Sequence, residues 1–170
     1  INIRTTNNYV GGDFTFVTDI NTAPVTQIIV TDTGTVNANS NLSNVDIYYE
    51  TAATTCARES YGGTETLFGT GASFNASEKA TITGSMSVGT TEVCVYVVLD
   101  VGAGASAGQT IEIEISNPST EVTVSSGSVT PATAVAIAGT TTLQAASATF
   151  TQNIYRWYVD NDTENVTDPW

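Results

Sequence analysis

Residues 93–99, with the sequence VCVYVVL, form the most apolar and most β-branched run in the chain. Seven residues suit a strand better than a helix, and an unbroken apolar run, unlike an alternating one, predicts burial on both faces. The run also contains Cys94, one of only two cysteines in the sequence. We therefore expect a central β-strand that can carry a covalent cross-link.

Two other segments show the alternation of a strand that is buried on one face only. Residues 45–50 place Val45, Ile47 and Tyr49 on one face, and residues 110–116 alternate isoleucine with glutamate. Further short strands are predicted at residues 1–4, 13–19, 25–31, 79–83, 121–124, 134–138 and 140–143, with an irregular region at 51–71. No segment has a sustained helical period with caps. The pattern predicts an all-β, Ig-like or jelly-roll-type β-sandwich of nine or ten strands, with a terminal strand available for exchange.

The last part of the chain differs from the rest. Residues 145–148 are small, like a hinge, residues 149–159 (TFTQNIYRWYV) form what we call the aromatic ribbon, and residues 160–170 are acidic. We therefore divide the chain into a sandwich body at 1–147 and a connector at 148–170. A strand after a hinge either closes its own sandwich or completes a neighbour by β-strand addition. The side chains expected to make that inter-subunit contact are Phe150, Ile154, Tyr155, Trp157 and Val159. Residues 1–10 are the rival donor strand.

The two cysteines, Cys56 and Cys94, predict one disulfide formed in an oxidising compartment. It would pin the irregular region at 51–71 onto the central strand, and closing a loop of about 38 residues is worth roughly 4 kcal/mol in the chain-entropy model. Two buried free thiols in a cytosolic protein are the alternative.

Four Asn-X-Ser/Thr sequons favour an extracellular, cell-surface location, although a chain rich in threonine and asparagine also produces sequons by chance. If they are glycosylated, each should lie on a surface loop. The candidate acceptors are Asn41, Asn75, Asn161 and Asn165.

The charge of the chain excludes several function classes. There are 17 acidic residues, four basic residues and no histidine, for a net charge of −13. Such a chain cannot neutralise a run of phosphates, so we expect no nucleic-acid partner, and an anionic membrane surface would repel it. No apolar stretch approaches the length of a membrane span.

The sequence shows no catalytic chemistry. Without histidine there is no imidazole-dependent triad, and bridged cysteines leave no thiol nucleophile. The nucleophile-elbow and Walker motifs are absent. Paired carboxylates could in principle hydrolyse glycosides, but solvation of the surface accounts for them more simply. We therefore predict that the protein is not an enzyme.

No cofactor is required by any motif, and calcium is the one ligand that the sequence favours. Within nine residues of the acidic tail the chain carries five side chains with oxygen ligands: Asp160, Asn161, Asp162, Glu164 and Asp168. The spacing lacks the glycine and the terminal glutamate of an EF-hand loop. A solvated acidic turn is the alternative interpretation.

Three stretches carry a resemblance to known families. The segment QNIYRWYVDN with the later DPW resembles a junction in large repeat-bearing surface proteins of bacteria, where it is similar to the opening strand of a following repeat. The stretches ASAGQTIEIEISNPS and VTPATAVAIAGTTTL are similar to the body of such repeats. The threonine-rich, lysine-poor, sequon-bearing composition is also similar to that of archaeal and bacterial extracellular filament subunits joined by donor strands.

These resemblances imply a structural subunit of an extracellular filament or cell-surface array, a homopolymer joined by β-strand addition. The alternative is a carbohydrate-binding or adhesive module of a larger secreted protein. In that case glycans would be the partner and aromatic side chains would form a stacking platform, drawn from Tyr155, Trp157, Tyr158 and Trp170.

Overall fold

The computed structural model of the chain describes residues 1–146, which form an all-β sandwich, as the sequence predicts. Two four-residue helices and one short 3-10 turn, Cys56–Arg58, interrupt the strands. The elements in chain order are β1 Thr5–Tyr9, β2 Phe14–Phe16, β3 Ala23–Asp32, α1 Ala38–Asn41, β4 Leu42–Thr51, β5 Thr66–Ala72, β6 Lys79–Val88, β7 Val93–Val101, β8 Thr110–Ile111, β9 Ile113–Ile115, α2 Pro118–Glu121, β10 Val122–Val124, β11 Val135–Ala136 and β12 Thr141–Thr142.

Two antiparallel sheets build the sandwich. In the first, β7 is flanked by β4 and β5 on one side, while β1 and β2 lie end to end along its other edge. In the second, β3 has β6 on one side, while β9 and β10 lie end to end along its other edge and β11 adds outside β9. A small two-stranded sheet pairs β12 with β8.

Strand β7 is buried on both faces, as its unbroken apolar run predicts. Every residue from 93 to 99 is at most 2% exposed. Val93, Val95, Val97 and Leu99 point into the core between the sheets. Cys94 and Tyr96 belong to a second, smaller cluster that covers the outer face. The isoleucines of β8 and β9 are likewise buried, and Asn117-Pro118 ends that run because Pro118 begins α2.

Two sequence expectations were wrong. The strand expected at residues 1–4 lies instead at Thr5–Tyr9, and it contains Asn7, which takes a positive φ of 54°. Strand β5 was missed, and all of it except its last residue, Ala72, lies inside the region taken as irregular. Its sequence, TLFGTGA, carries two glycines, which weaken a strand signal.

The glycines of β5 and β6 explain how one side of the sandwich closes. A Cβ atom at Gly69 would lie 2.2 Å from the carbonyl oxygen of Thr83, and one at Gly84 would lie 1.9 Å from that of Phe68. The edge strands of the two sheets therefore meet backbone to backbone, where only glycine fits. We call this side the closed seam.

The opposite side, between β1–β2 and β9–β11, is closed along half its length only. There the chain after β11 runs beside β9 and β8: Ile137 N donates to Ile113 O, and Leu143 N donates to Gln109 O. It ends against the first residues, because Gln144 N donates to Ile1 O and Ile3 N donates to Gln144 O. The other half of this side, beside β2 and β10, has no described strand lying across it.

Asp32, at the end of β3, is a carboxylate buried under the loop that leads to α1. It is 4% exposed. Its Oδ1 accepts hydrogen bonds from Gly34 N at 3.2 Å and Glu112 N at 2.9 Å, whereas its Oδ2 has no partner among the described residues. Burial, aided by the nearby charges of Glu78 and Glu112, raises the pKa of Asp32 to about 6, although the two backbone donors oppose the shift.

This carboxylate predicts a pH-dependent stability. Because the folded pKa lies above the unfolded value, the folded state binds more protons, and stability is lost as the pH rises through about 6. We expect the free energy of unfolding of the wild type to be larger at pH 5 than at pH 7.5, with Asp32 contributing roughly 1–2 kcal/mol of the change. Urea unfolding at both pH values measures it.

The control for this prediction is Asp32→Asn, which keeps the Oδ1 acceptor and removes the titration. The general relief of negative charge on acidification affects both proteins equally, so the difference between their pH profiles isolates Asp32. Parallel profiles would show that Asp32 does not titrate in this range.

Candidate functional site: an apolar groove in the half-open side

The uncovered half of that side forms a groove of about 630 Å³. Strand β2 and the loop after it, residues 17–22, make one wall, while β10 and residues 126–131 make the other. The floor is apolar and buried, and it includes Phe14, Val25, Val88 and Ile115, each 2% exposed. We call this feature the groove.

Large apolar side chains are exposed to solvent at the rim of the groove. Three large apolar side chains are strongly exposed in residues 1–146: Val17 at 56%, Ile20 at 75% and Leu67 at 45%. Two of them, Val17 and Ile20, line the groove, whereas Leu67 lies on β5, away from it. Apolar rim residues above a buried apolar floor mark a surface suited to covering by another chain.

Both walls also present strand edges. Strand β2 pairs only with β7, and β10 pairs only with β3, within the described part of the chain. Each strand therefore has one edge whose backbone N–H and C=O groups have no strand partner there. An edge of this kind is a template for strand addition.

The groove has little other chemistry. Among the described residues that line it, Asp19 is the single charged one, and threonines, serines and Asn21 supply the remaining polar side chains. There is no cluster in it from which to assemble an acid–base pair. What it offers a ligand is apolar surface and backbone hydrogen bonds.

The disulfide organises a second feature on the outer face of β7. Cys56 and Cys94 are bridged, with their Cα atoms 5.3 Å apart, so the predicted disulfide is confirmed. The bridge holds the loop between β4 and β5 over the sheet, as expected. Tyr61 from that loop packs against both Tyr9 and Tyr96, with ring centroids 5.4 Å and 5.9 Å away.

Hydrogen bonds anchor this tyrosine cluster. Tyr96 is fully buried and donates from its hydroxyl to Glu50 Oε1 at 2.6 Å, and Tyr9 donates to Gly12 O at 2.7 Å. Burial, and then the bond to Glu50, raise the pKa of Tyr96, so the phenol stays protonated and acts as a donor. Because the hydroxyls of Tyr9 and Tyr96 are hydrogen-bonded and the rings pack on the disulfide, we interpret this cluster as structural.

The structure describes two of the four predicted glycan acceptors, and these two differ from each other in exposure. Asn75 is exposed in the turn between β5 and β6, where its Oδ1 accepts from Ser77 N and Lys79 N. Asn41 is half-buried at the end of α1, and its amide nitrogen donates to Asn37 O at 3.1 Å. Of the two, Asn75 has the geometry expected of a surface sequon.

The remaining predicted sites lie outside the described residues. They are the acceptors Asn161 and Asn165, the ribbon side chains Phe150, Ile154, Tyr155, Trp157 and Val159, and the calcium candidates Asp160, Asp162, Glu164 and Asp168. Within residues 1–146 no group of three or more cysteine or carboxylate side chains is placed to hold a metal ion. No helix in this range is long and apolar enough to cross a membrane.

Sequence reasoning did not find the groove. Its one local signal is the pair of apolar residues, Val17 and Ile20, in a stretch otherwise made of threonine, aspartate and asparagine. The groove itself depends on which strands are neighbours, and that order cannot be read from the sequence. Comparison of the chain with protein-family models, with curated proteins and with solved structures gave no match.

Proposed function

We propose that the protein is a structural subunit of an extracellular filament or cell-surface array, joined to its neighbours by β-strand addition. The observation that carries this proposal is the groove, with its exposed apolar rim and two strand edges facing it. The disulfide, together with the lack of a membrane-spanning helix in residues 1–146, fits a secreted protein.

An inserted strand would gain from both features of the groove. The strand edges supply backbone hydrogen bonds, which give affinity, and the apolar floor takes alternate side chains, which fix the register. Covering about 400 Å² of apolar surface would contribute roughly 10 kcal/mol before ordering costs, enough for a long-lived joint.

The proposal is tested by assembly of the purified chain. Electron microscopy and sedimentation should show polymers for the wild type. Ile20→Lys puts a charge on the groove rim, and because Ile20 is 75% exposed the change should leave the fold intact. We expect it to lower the sedimenting fraction at least tenfold.

The matched control is Leu67→Lys, which makes the same change at an exposed apolar position outside the groove. It should assemble like the wild type. A wild type that stays monomeric at all concentrations, or an Ile20→Lys variant that assembles normally, would overturn the proposal. Binding of the monomer to immobilised glycans would then favour the adhesive alternative.

A further inference from the structure

We propose that the groove of one copy is filled by residues 149–159, the aromatic ribbon, of a second copy, so that the subunits join head to tail. This inference rests on the proposed function and specifies the strand donor. It is carried by where the described chain ends relative to the groove.

The amino-terminal stretch is already used within its own sandwich. Strand β1 pairs with β7, through Asn8 with Leu99 and Tyr9 with Val98, and Ile1 and Ile3 are bonded to Gln144. Donating residues 1–10 to another copy would break all of these contacts. The rival donor is therefore disfavoured relative to the aromatic ribbon.

The last residues that the structure describes lie at the end of the sandwich opposite the groove. The groove flanks the amino-terminal half of β7, where Phe16 pairs with Val93. Gln144 is fixed beside Asn2, beyond the pairing of Thr5 with Val101 at the other end of β7. The segment that leads to it, from β11 to Gln144, runs away from the groove along β9 and β8.

Chain length opposes insertion of the whole ribbon into its own groove. Val135 lies at the near edge of the groove and pairs with Ile115. Gln144 lies about seven residues further along the β9–β8 edge, which corresponds to about 23 Å. Phe150 follows Gln144 by six residues, which span at most about 21 Å when fully extended. A straight return would therefore bring Phe150 no further than the near edge of the groove of its own copy, so the ribbon as a whole could not lie in it.

The composition of the ribbon matches the groove. In a chain with a net charge of −13, residues 149–159 contain no acid and one base, Arg156. The groove carries the single charge of Asp19 among its lining residues. The ribbon's apolar side chains can enter the groove without burying a carboxylate, and Arg156 can pair with Asp19.

Head-to-tail joining predicts an open polymer. A donor segment at one end and an acceptor groove at the other make the interface heterologous, and a heterologous interface forms filaments unless its rotation closes a ring. Each joint then needs one intact ribbon and one intact groove. That requirement can be tested by mixing two defective proteins.

The experiment uses the 170-residue chain with one defect in each variant. Ile154→Asp charges the centre of the ribbon and keeps the groove, whereas Ile20→Lys charges the rim and keeps the ribbon. We expect each to be monomeric alone, with at least a tenfold loss of polymer, and an equimolar mixture to give a 1:1 dimer in sedimentation velocity. Val166→Asp, an equal change beyond the ribbon, should assemble normally. Thermal unfolding of every variant shows that its body is folded.

The outcomes separate this inference from the proposed function. If Ile154→Asp still assembles while Ile20→Lys does not, the groove is used but the ribbon is not its occupant. The same conclusion follows if the mixture of the two variants stays monomeric. If Ile20→Lys assembles normally, the proposed function itself fails. A synthetic peptide of residues 149–159 gives an independent check, because it should block assembly of the wild type by filling the groove.

Discussion

Replacing Gly84 with alanine is expected to destabilise the sandwich by about 3 kcal/mol or more, because the new methyl group meets backbone rather than a movable side chain. A Cβ atom at this position would lie 1.9 Å from the carbonyl oxygen of Phe68 and 2.9 Å from Cγ of its ring. The strands at the closed seam would have to separate, and both sheets would lose packing there. Urea unfolding of the purified variant measures the loss.

Gly89→Ala is the matched control for this prediction. A Cβ atom at Gly89 would have its nearest neighbour, Cγ2 of Thr22, at an ordinary 3.8 Å. Because both variants lose the same backbone freedom in the unfolded state, the comparison isolates the close approach. We expect Gly89→Ala to stay within about 0.5 kcal/mol of the wild type. Equal stability of the two variants would contradict the packing assigned to the closed seam.

Removing the disulfide by the double change Cys56→Ala and Cys94→Ala is expected to cost about 4 kcal/mol in the chain-entropy model. The bridge joins positions 38 residues apart in the chain. Without it, the loop that carries Tyr61 is held over β7 by packing and hydrogen bonds alone. Thermal unfolding should show a lower midpoint for the variant.

A reductant provides the control for the disulfide prediction. It should lower the midpoint of the wild type towards that of the double variant and leave the variant unchanged. A wild type whose midpoint is the same with and without reductant, while labelling shows both thiols free, would contradict a stabilising bridge.

Several parts of this fold could be predicted because the signal is local. The unbroken run at residues 93–99 predicts burial on both faces, and the bridge to Cys56 indicates which loop covers the outer one. The alternation of isoleucine with glutamate after Thr110 predicts which side chains face the core. In the two strands, neighbouring residues contain the whole pattern, and the pairing of the disulfide follows because the chain has only two cysteines.

Other parts depend on contacts between distant segments. Strand β5 was missed because Gly69 weakens its local signal, yet the glycine is there so that β6 can approach. Glycine argues against a strand when β5 is considered alone, and it is required in that strand once β6 is known to be its neighbour. The groove likewise exists because β9 and β10 share one edge of β3, while the chain after β11 covers half of the facing side. No local pattern encodes that arrangement.

The central claim is that the groove receives a β-strand from another copy of the chain. Its most direct test is the structure of the assembled form by electron cryo-microscopy. We predict density for an extended segment lying between β2 and β10, hydrogen-bonded to at least one of them and continuous with the chain of the adjacent subunit. An empty groove, with subunits meeting through other surfaces, would contradict the claim.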